Sequence, residues 1–564
     1  MNTTEGFRQR THELMLLTKS LGDELYHKDM GLVCRLALPP ENKHRRGYDV
    51  AQSSPWYCNA LAFLLSRGEG DDEERHRLNR IIGRIVDHQV TDPNDPGYGN
   101  YRWYPHWETV EDKNGVSFIV PEIGQVLAHH QDLLDDDVQG RLADSLRLAV
   151  EGLERHPAPW RYTNIFVLNI LSRLTIAAAL DDSSQVATAV ERWDEWFRET
   201  DQTGILEYNS PAYSAVALGP LGRMLLFAPN EELRQQVLKV LDSAYQDLVL
   251  HWHGPTWQLT GAQSRASHLD RLGFSLVRQL MYQQVGGPPI PFGHAATGFV
   301  ALNPYEMSEE QKAMALDDNP QRLVKGYFPA NGIRRTCLLA GRFSMSSRSG
   351  PTYGRQEAII HAALPVEGQP GIFFKQEVDT SQTQYAVQDG LRLLAVWPVE
   401  SVPEFGGSPH VWIRGYLGHL ENVLSANVNG KQWQSSQPLK VENDSLLNIE
   451  LKDTEGQELS LEFQPRFVST DDEPPAAAAY FWHDPAADQL HLDFIAHGPC
   501  TMGLFLQIVE GSTEAGPASI VVEDSSWSVP EAGLAVDLAK PPAAEDGFLL
   551  SSSDWKWRPG DWSK

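Results

Sequence analysis

Cysteine is scarce: Cys34, Cys58, Cys337 and Cys500 are scattered over 564 residues, with no CxxC pair and no ligand-like spacing. That excludes a disulfide-stapled scaffold and argues against a zinc site. Positive charge is also short. Lys and Arg number 47 against 75 Asp and Glu, a formal net charge of −28. The summed field repels polyanions, so nucleic acid and membrane surfaces are not expected partners. An anionic substrate would need a local pocket of cations or amides. Long apolar runs are missing as well. No stretch approaches the roughly 20 apolar residues of a membrane span. The opening MNTTEGFRQRTHELMLL lacks the apolar centre of a secretory signal. The expectation is a cytoplasmic protein.

Aromatic residues, by contrast, are abundant. Sixteen tryptophans, several of them clustered in YGNYRWYPHWE (residues 98–108), exceed what core packing ordinarily demands. Flat indole and phenol faces pack well on the C–H side of a sugar ring, which makes Trp103 and Trp107 candidates for a sugar subsite. The same residues could equally fill a core.

A chain of 564 residues is too long for one core. Up to about residue 285 the apolar residues recur with helical period. Val138, Leu142, Leu146, Ala149 and Leu153 form one stripe, and Leu233, Val237, Leu241, Ala244 and Leu248 form another. Between such amphipathic helices lie more uniformly apolar ones with polar, aromatic starts: PWYCNALAFLL, KNGVSFIV, YTNIFVLNIL and NSPAYSAVALG, with SRASHLDRLG as a weaker fifth. These starts recur roughly every 50 residues, the length of a helical hairpin. Hairpins of this kind stack as an open solenoid or close into an (α/α) toroid. In a toroid the starts of the inner helices converge on one mouth.

Past residue 285 the pattern changes. GGPPIPFG and DDNPQR read as a linker over 286–330. From 331 to 564 strands follow one another, with hairpin turns at Asn429-Gly430 and Glu455-Gly456. The expected fold is therefore multidomain α+β. A toroid over 1–285 carries the catalytic site, and a large antiparallel β-sandwich follows it.

The order of the two halves resembles the architecture of several polysaccharide lyase families, notably the chondroitin AC and hyaluronate lyases and the heparinase II/III-like group. The stretches Tyr-Thr-Asn-Ile and Glu-Tyr-Asn-Ser-Pro-x-Tyr are similar to those of heparinase-like proteins. The resemblance implies β-elimination on a uronate-containing oligo- or polysaccharide. That chemistry needs a neutralised carboxylate, a base for the C5 proton and an acid for the leaving oxygen. By residue type it implies that Asn164 and Asn209 hold the carboxylate. Tyr213 would serve as base and acid, helped by His253 and Arg265. Tyr162, Tyr208, Glu207, Asn114, His251 and His268 would line the substrate, together with the two tryptophans.

Blander roles compete at each position. Asn164 can cap its helix, and Asn209 or Ser210 before Pro211 makes a sound helix start. His251 and His253 can sit at a helix end, and without a third ligand they suggest no metal. No cofactor is expected. A glycoside hydrolase on the same scaffold would instead use Glu207 with a second carboxylate, such as Glu108, Asp112 or Asp270. A non-catalytic glycan-binding protein would use the aromatics alone. In the strand half, Tyr353, Arg355 and Gln356 of RSGPTYGRQE are further residues able to reach the mouth.

Overall fold

A computed structural model describes residues 3–564 apart from 36–46, 266–275, 289–296, 353–356, 367–370, 377–381, 403, 406–407, 410, 420, 422, 435–436, 470–476, 487, 511–517 and 541–546. Among the described residues twelve α-helices precede an antiparallel strand half.

Four helices are apolar nearly all round: α2 (Ser53–Leu65), α4 (Gly115–His130), α6 (Thr163–Leu180) and α8 (Tyr213–Phe227). Each packs on the next, α2 on α4, α4 on α6 and α6 on α8. Four amphipathic helices back them: α3 (Asp72–Val86), α5 (Asp136–Glu154), α7 (Ser183–Thr203) and α9 (Glu231–His251). The stripe expected on α5 is buried at Leu142, Leu146, Ala149 and Leu153, and α9 buries Leu233, Val237, Leu241 and Leu248. Helix α6 is long and apolar enough to cross a membrane, which the sequence reading did not anticipate. Its residues Thr163–Ala177 are instead buried within the protein.

The ring closes. Helix α1 (Glu5–Leu25) packs on α2, and α10 (Leu276–Val285) and α11 (Thr297–Ala301) fill the space between α8, α1 and α2. The Arg10 guanidinium donates to the carbonyls of Gln283 and Gln284, and the Trp56 and Phe299 rings meet at 5.7 Å. The helical half is thus an (α/α) toroid. At its centre a fully buried ion pair joins Glu122 of α4 to Arg223 of α8. Asn59 of α2 donates to Glu122, and Gln125 accepts from Arg223. These bonds satisfy a charge pair that would be very costly to bury unmet, and they register three inner helices.

The segment expected as a linker is structured. It carries α11, α12 (Glu309–Ala315) and the strand Gln321–Phe328, because Phe299, Val300, Tyr305 and Met307 are drawn into the helical core. Helix α12 opens with a capping box between Ser308 and Gln311.

Among the described residues the strand half contains two large antiparallel sheets, beside small ones of two and three strands. One runs from Gln321–Phe328 through Ile333–Ala340, Phe343–Thr352, Ala358–Ala363, Ile372–Gln376 and Val411–His419 to Gln489–Ala496 and Ala477–Asp484. The other runs from Val423–Val428 through Leu447–Lys452, Glu458–Ser469, Cys500–Glu510 and Arg392–Val399 to Gln382–Asp389. They join where Gly350–Thr352 pairs with Gln382–Gln384, so the whole curves as a half-barrel. Phe374, Ile413 and Leu492 from the first sheet meet Trp397, Leu461 and Leu504 from the second in one core. Asn429 and Gly430 both take positive φ, as a tight hairpin turn requires.

Polar and aromatic contacts fasten the sheet to the toroid. Arg335 forms two bonds to Asp247 of α9, at 2.9 and 3.0 Å. Tyr208 stacks on Phe328 at 4.4 Å, and the C-terminal Trp562 packs on Trp196 and Phe197 of α7. These contacts hold the strand half against α7, α9 and the segment that leads into α8.

Candidate functional site

Residues 207–212 form a polar loop rather than a helical turn, since α8 begins only at Tyr213. Ser210 braces it: its hydroxyl accepts the Tyr213 N–H at 3.0 Å and donates to the Arg265 carbonyl at 2.5 Å. Asn209 adopts φ +46°, a left-handed conformation that Asn tolerates better than most residues. Its amide nitrogen donates to the carbonyls of Thr260 (2.6 Å) and Ala262 (3.2 Å). Gly261 lies between them with φ +99°. A Cβ there would come within 2.4 Å of the Asn209 amide nitrogen. The loop 207–212 and the loop 258–265 are therefore clasped together.

The clasp delivers Arg265 to the start of α8. Its guanidinium carbon stands 3.4 Å from the centroid of the Tyr213 ring and 6.0 Å from that of Tyr162. Glu207 accepts from Arg265 at 2.7 Å, and from the backbone N–H and side-chain amide of Asn164, also at 2.7 Å. Glu207 thus joins the starts of α6 and α8 and fixes the cation. Burial opposes the charge on Arg265, but Tyr213, Glu207 and Tyr162 outweigh it and hold the guanidinium above its ordinary value. Burial raises the Tyr162 hydroxyl despite the lowering effect of Arg265. Asn114, at the start of α4, donates to the Tyr162 hydroxyl at 3.3 Å, and its side-chain Oδ1 meets His156 Nε2 at 2.9 Å. Burial and Lys113 lower the His156 pKa.

Of the residues singled out in the sequence, Asn114, Tyr162, Asn164, Glu207, Tyr213 and Arg265 are brought together here. Others have different work. The donors of Asn209 are spent on backbone carbonyls, so it is a clasp rather than a carboxylate holder. His253 is fully buried, with Nδ1 against the Thr256 hydroxyl (2.7 Å) and Nε2 against the Gly341 carbonyl (2.9 Å). Burial pushes its pKa down to about 4. Both ring nitrogens are occupied in tying the toroid to the strand half, so His253 cannot assist Tyr213. His251 is buried against Asp247 at 2.9 Å.

Tyr208 is buried between Phe328 and Arg335, and its hydroxyl accepts from Arg348 at 3.4 Å. Trp103 and Trp107 are core residues rather than a sugar platform. Their exposures are only 3% and 7%, and they pack on Phe118 and Tyr104. The excess of aromatics is spent largely inside. His268 and Asp270 lie outside the described residues, as do Tyr353, Arg355 and Gln356. Among the described residues no three His, Cys, Asp or Glu side chains gather as a metal site.

His156 and Arg155 were not singled out in the sequence, and Lys113 entered only as the first residue of KNGVSFIV. His156 follows the end of α5 rather than starting an inner helix, so the repeat of helix starts gave no signal for it. Only the distance to Asn114 shows that it belongs here.

A family model described as a domain of unknown function (DUF8769) matches residues 13–291, which spans the toroid up to α10. No curated protein matches the chain. Among solved structures, the chain is similar to a heparinase III at 9% identity and TM-score 0.42, covering 95% of this chain and 90% of that one. It is also similar to the chondroitin AC lyase of Streptomyces coelicolor in complex with chondroitin sulphate. There the identity is 10% and the TM-score 0.48, over 94% of this chain and 85% of that one.

Proposed function

We propose that the chain is a carbohydrate-active enzyme, a lyase that cleaves uronate-containing oligo- or polysaccharides by β-elimination. The observation that carries this reading is the Arg265 guanidinium 3.4 Å above the Tyr213 ring, pinned there by Glu207. A tyrosine becomes a useful base only when a nearby cation stabilises its phenolate, and this arrangement supplies the cation. Tyr213 takes the proton from C5 of the uronate. The freed electron pair forms the C4–C5 double bond as the bond from C4 to the glycosidic oxygen breaks, and the tyrosine hydroxyl returns the proton to that oxygen. Arg265 also offers positive charge to the uronate carboxylate, whose negative charge otherwise keeps C5 from losing its proton. Tyr162, whose hydroxyl already accepts from Asn114, has its own proton to give to a sugar oxygen.

The test is Tyr213→Phe, assayed on a panel of uronate glycans by the ultraviolet absorbance of the unsaturated product. The ring and its cation remain, so the fold is kept. Loss of the proton-transfer group lowers turnover by about 10²–10⁴ or more. Near-normal turnover in the variant would overturn the assignment of Tyr213. Reducing ends released without the absorbance would replace the lyase reading with hydrolysis.

A further inference from the structure

Beside this site, on the far side of His156, lies a cavity of about 290 Å³ lined by Asp95, Tyr98, Asn100, Lys113, Arg155 and His156, among others. One wall is closely packed. A Cβ on Gly99 or Gly152 would come within 2.5 to 2.7 Å of backbone atoms, so the loop 95–100 is pressed directly onto α5. Arg155 is oriented by the face of the Tyr98 ring (4.8 Å to the centroid) and by the Asp95 carbonyl (3.1 Å). The side chain of Asp95, the sole carboxylate among the lining residues, accepts the N–H of Gly97 at 2.7 Å. Lys113 is exposed, and no carboxylate partner is found for it among the described residues. In a protein of net charge −28, two cationic side chains, Lys113 and Arg155, around one small cavity stand out. The cavity is also wired to the proposed reaction centre. His156 bonds Asn114, Asn114 bonds Tyr162, and Arg265 faces the Tyr162 ring.

We infer that this cavity is a subsite for an anionic substituent, a sulfate ester or a carboxylate, on a sugar next to the one that reacts. The inference rests on the lyase reading for the identity of the neighbouring sugar, but not for the charge preference of the cavity. Lys113 and Arg155 supply the charge, and His156 links occupancy of the subsite to the position of Asn114. An arginine or lysine bonded to an oxyanion is worth about a tenfold change in affinity or more. Because the site is open to solvent, that gain weakens as salt rises.

The experiment is calorimetric binding of three tetrasaccharides, measured without reference to turnover: a sulfated uronate chain, the same chain desulfated, and a sulfated chain of neutral sugars. Wild type is compared with Lys113→Gln and with Lys113→Gln/Arg155→Gln. Lys113 makes no side-chain bond that the fold needs, so the single variant keeps the test open if the double variant fails to fold. The expected result is a loss of several-fold in the single variant and about tenfold or more in the double variant, for the chains carrying the recognised anion. Losses confined to the two sulfated chains identify a sulfate ester, and losses confined to the two uronate chains identify a carboxylate. If the variants bind all three chains as wild type does, the inference is overturned. If the sulfated neutral chain shows the loss while no uronate glycan is turned over, the subsite stands and the lyase reading fails.

Discussion

Replacing Glu207 by alanine tests the clasp that holds the proposed site. The carboxylate accepts three N–H groups, two from Asn164 and one from Arg265. Its side chain is 9% exposed and that of Arg265 24%. Alanine leaves the two Asn164 donors buried without an acceptor, at about 1–3 kcal/mol each in a well-packed setting. Arg265 loses its counter-charge, but it is exposed enough to regain water, so that cost is discounted to about 1 kcal/mol. The total expected is about 3–7 kcal/mol. Glu207→Gln keeps an acceptor for Asn164 and should cost about half as much. Urea unfolding of both variants is the assay, with the m-value checked for constancy so that a midpoint shift reports stability. A loss under about 0.5 kcal/mol in Glu207→Ala would refute the reasoning, because the donors would then be satisfied without the carboxylate.

Acid should weaken the fold through its buried histidines. Burial lowers His253 and His88 to about 4 from an ordinary 6.5. Between those values the unfolded chain binds protons that the folded one does not. Stability is therefore full above about pH 6.5 and falls as pH drops toward 4, by on the order of 3 kcal/mol per residue. Urea midpoints at pH 7 and pH 4.5 check this, and equal midpoints would contradict it. Trp103→Ala should cost about 3–5 kcal/mol as a core deletion. Trp107→Phe should leave glycan affinity unchanged, and a clear drop in affinity would restore that tryptophan as a sugar contact.

Much of the architecture was legible because periodicity is a local property of the chain. The four-and-three spacing of Leu142, Leu146, Ala149 and Leu153 is a buried stripe on α5, and uniformly apolar YTNIFVLNIL is an inner helix. The turn at Asn429-Gly430 announced its hairpin through the one backbone conformation those residues favour. The linker expected at 286–330 was misjudged because its glycines and prolines hid Phe299, Val300 and Tyr305, which the toroid needs to close.

Residue type alone could not say which polar side chain meets which. Tyr213 and Arg265 are 52 positions apart, and the bonds from Asn209, Ser210 and Glu207 to the loop 258–265 bring the cation onto the ring. His253 and His156 look alike in the sequence. One is sealed between Thr256 and the Gly341 carbonyl, while the other opens onto a basic cavity beside Asn114. The tryptophans make the same point, since an aromatic-rich loop reads equally as platform or core until its burial is known. The sequence by itself determined the stacked helical hairpins, the strand half and the polar, aromatic starts of the inner helices. Tertiary structure alone decided which of those side chains are spent on holding the protein together, because hydrogen bonds and burial depend on neighbours that are distant along the chain.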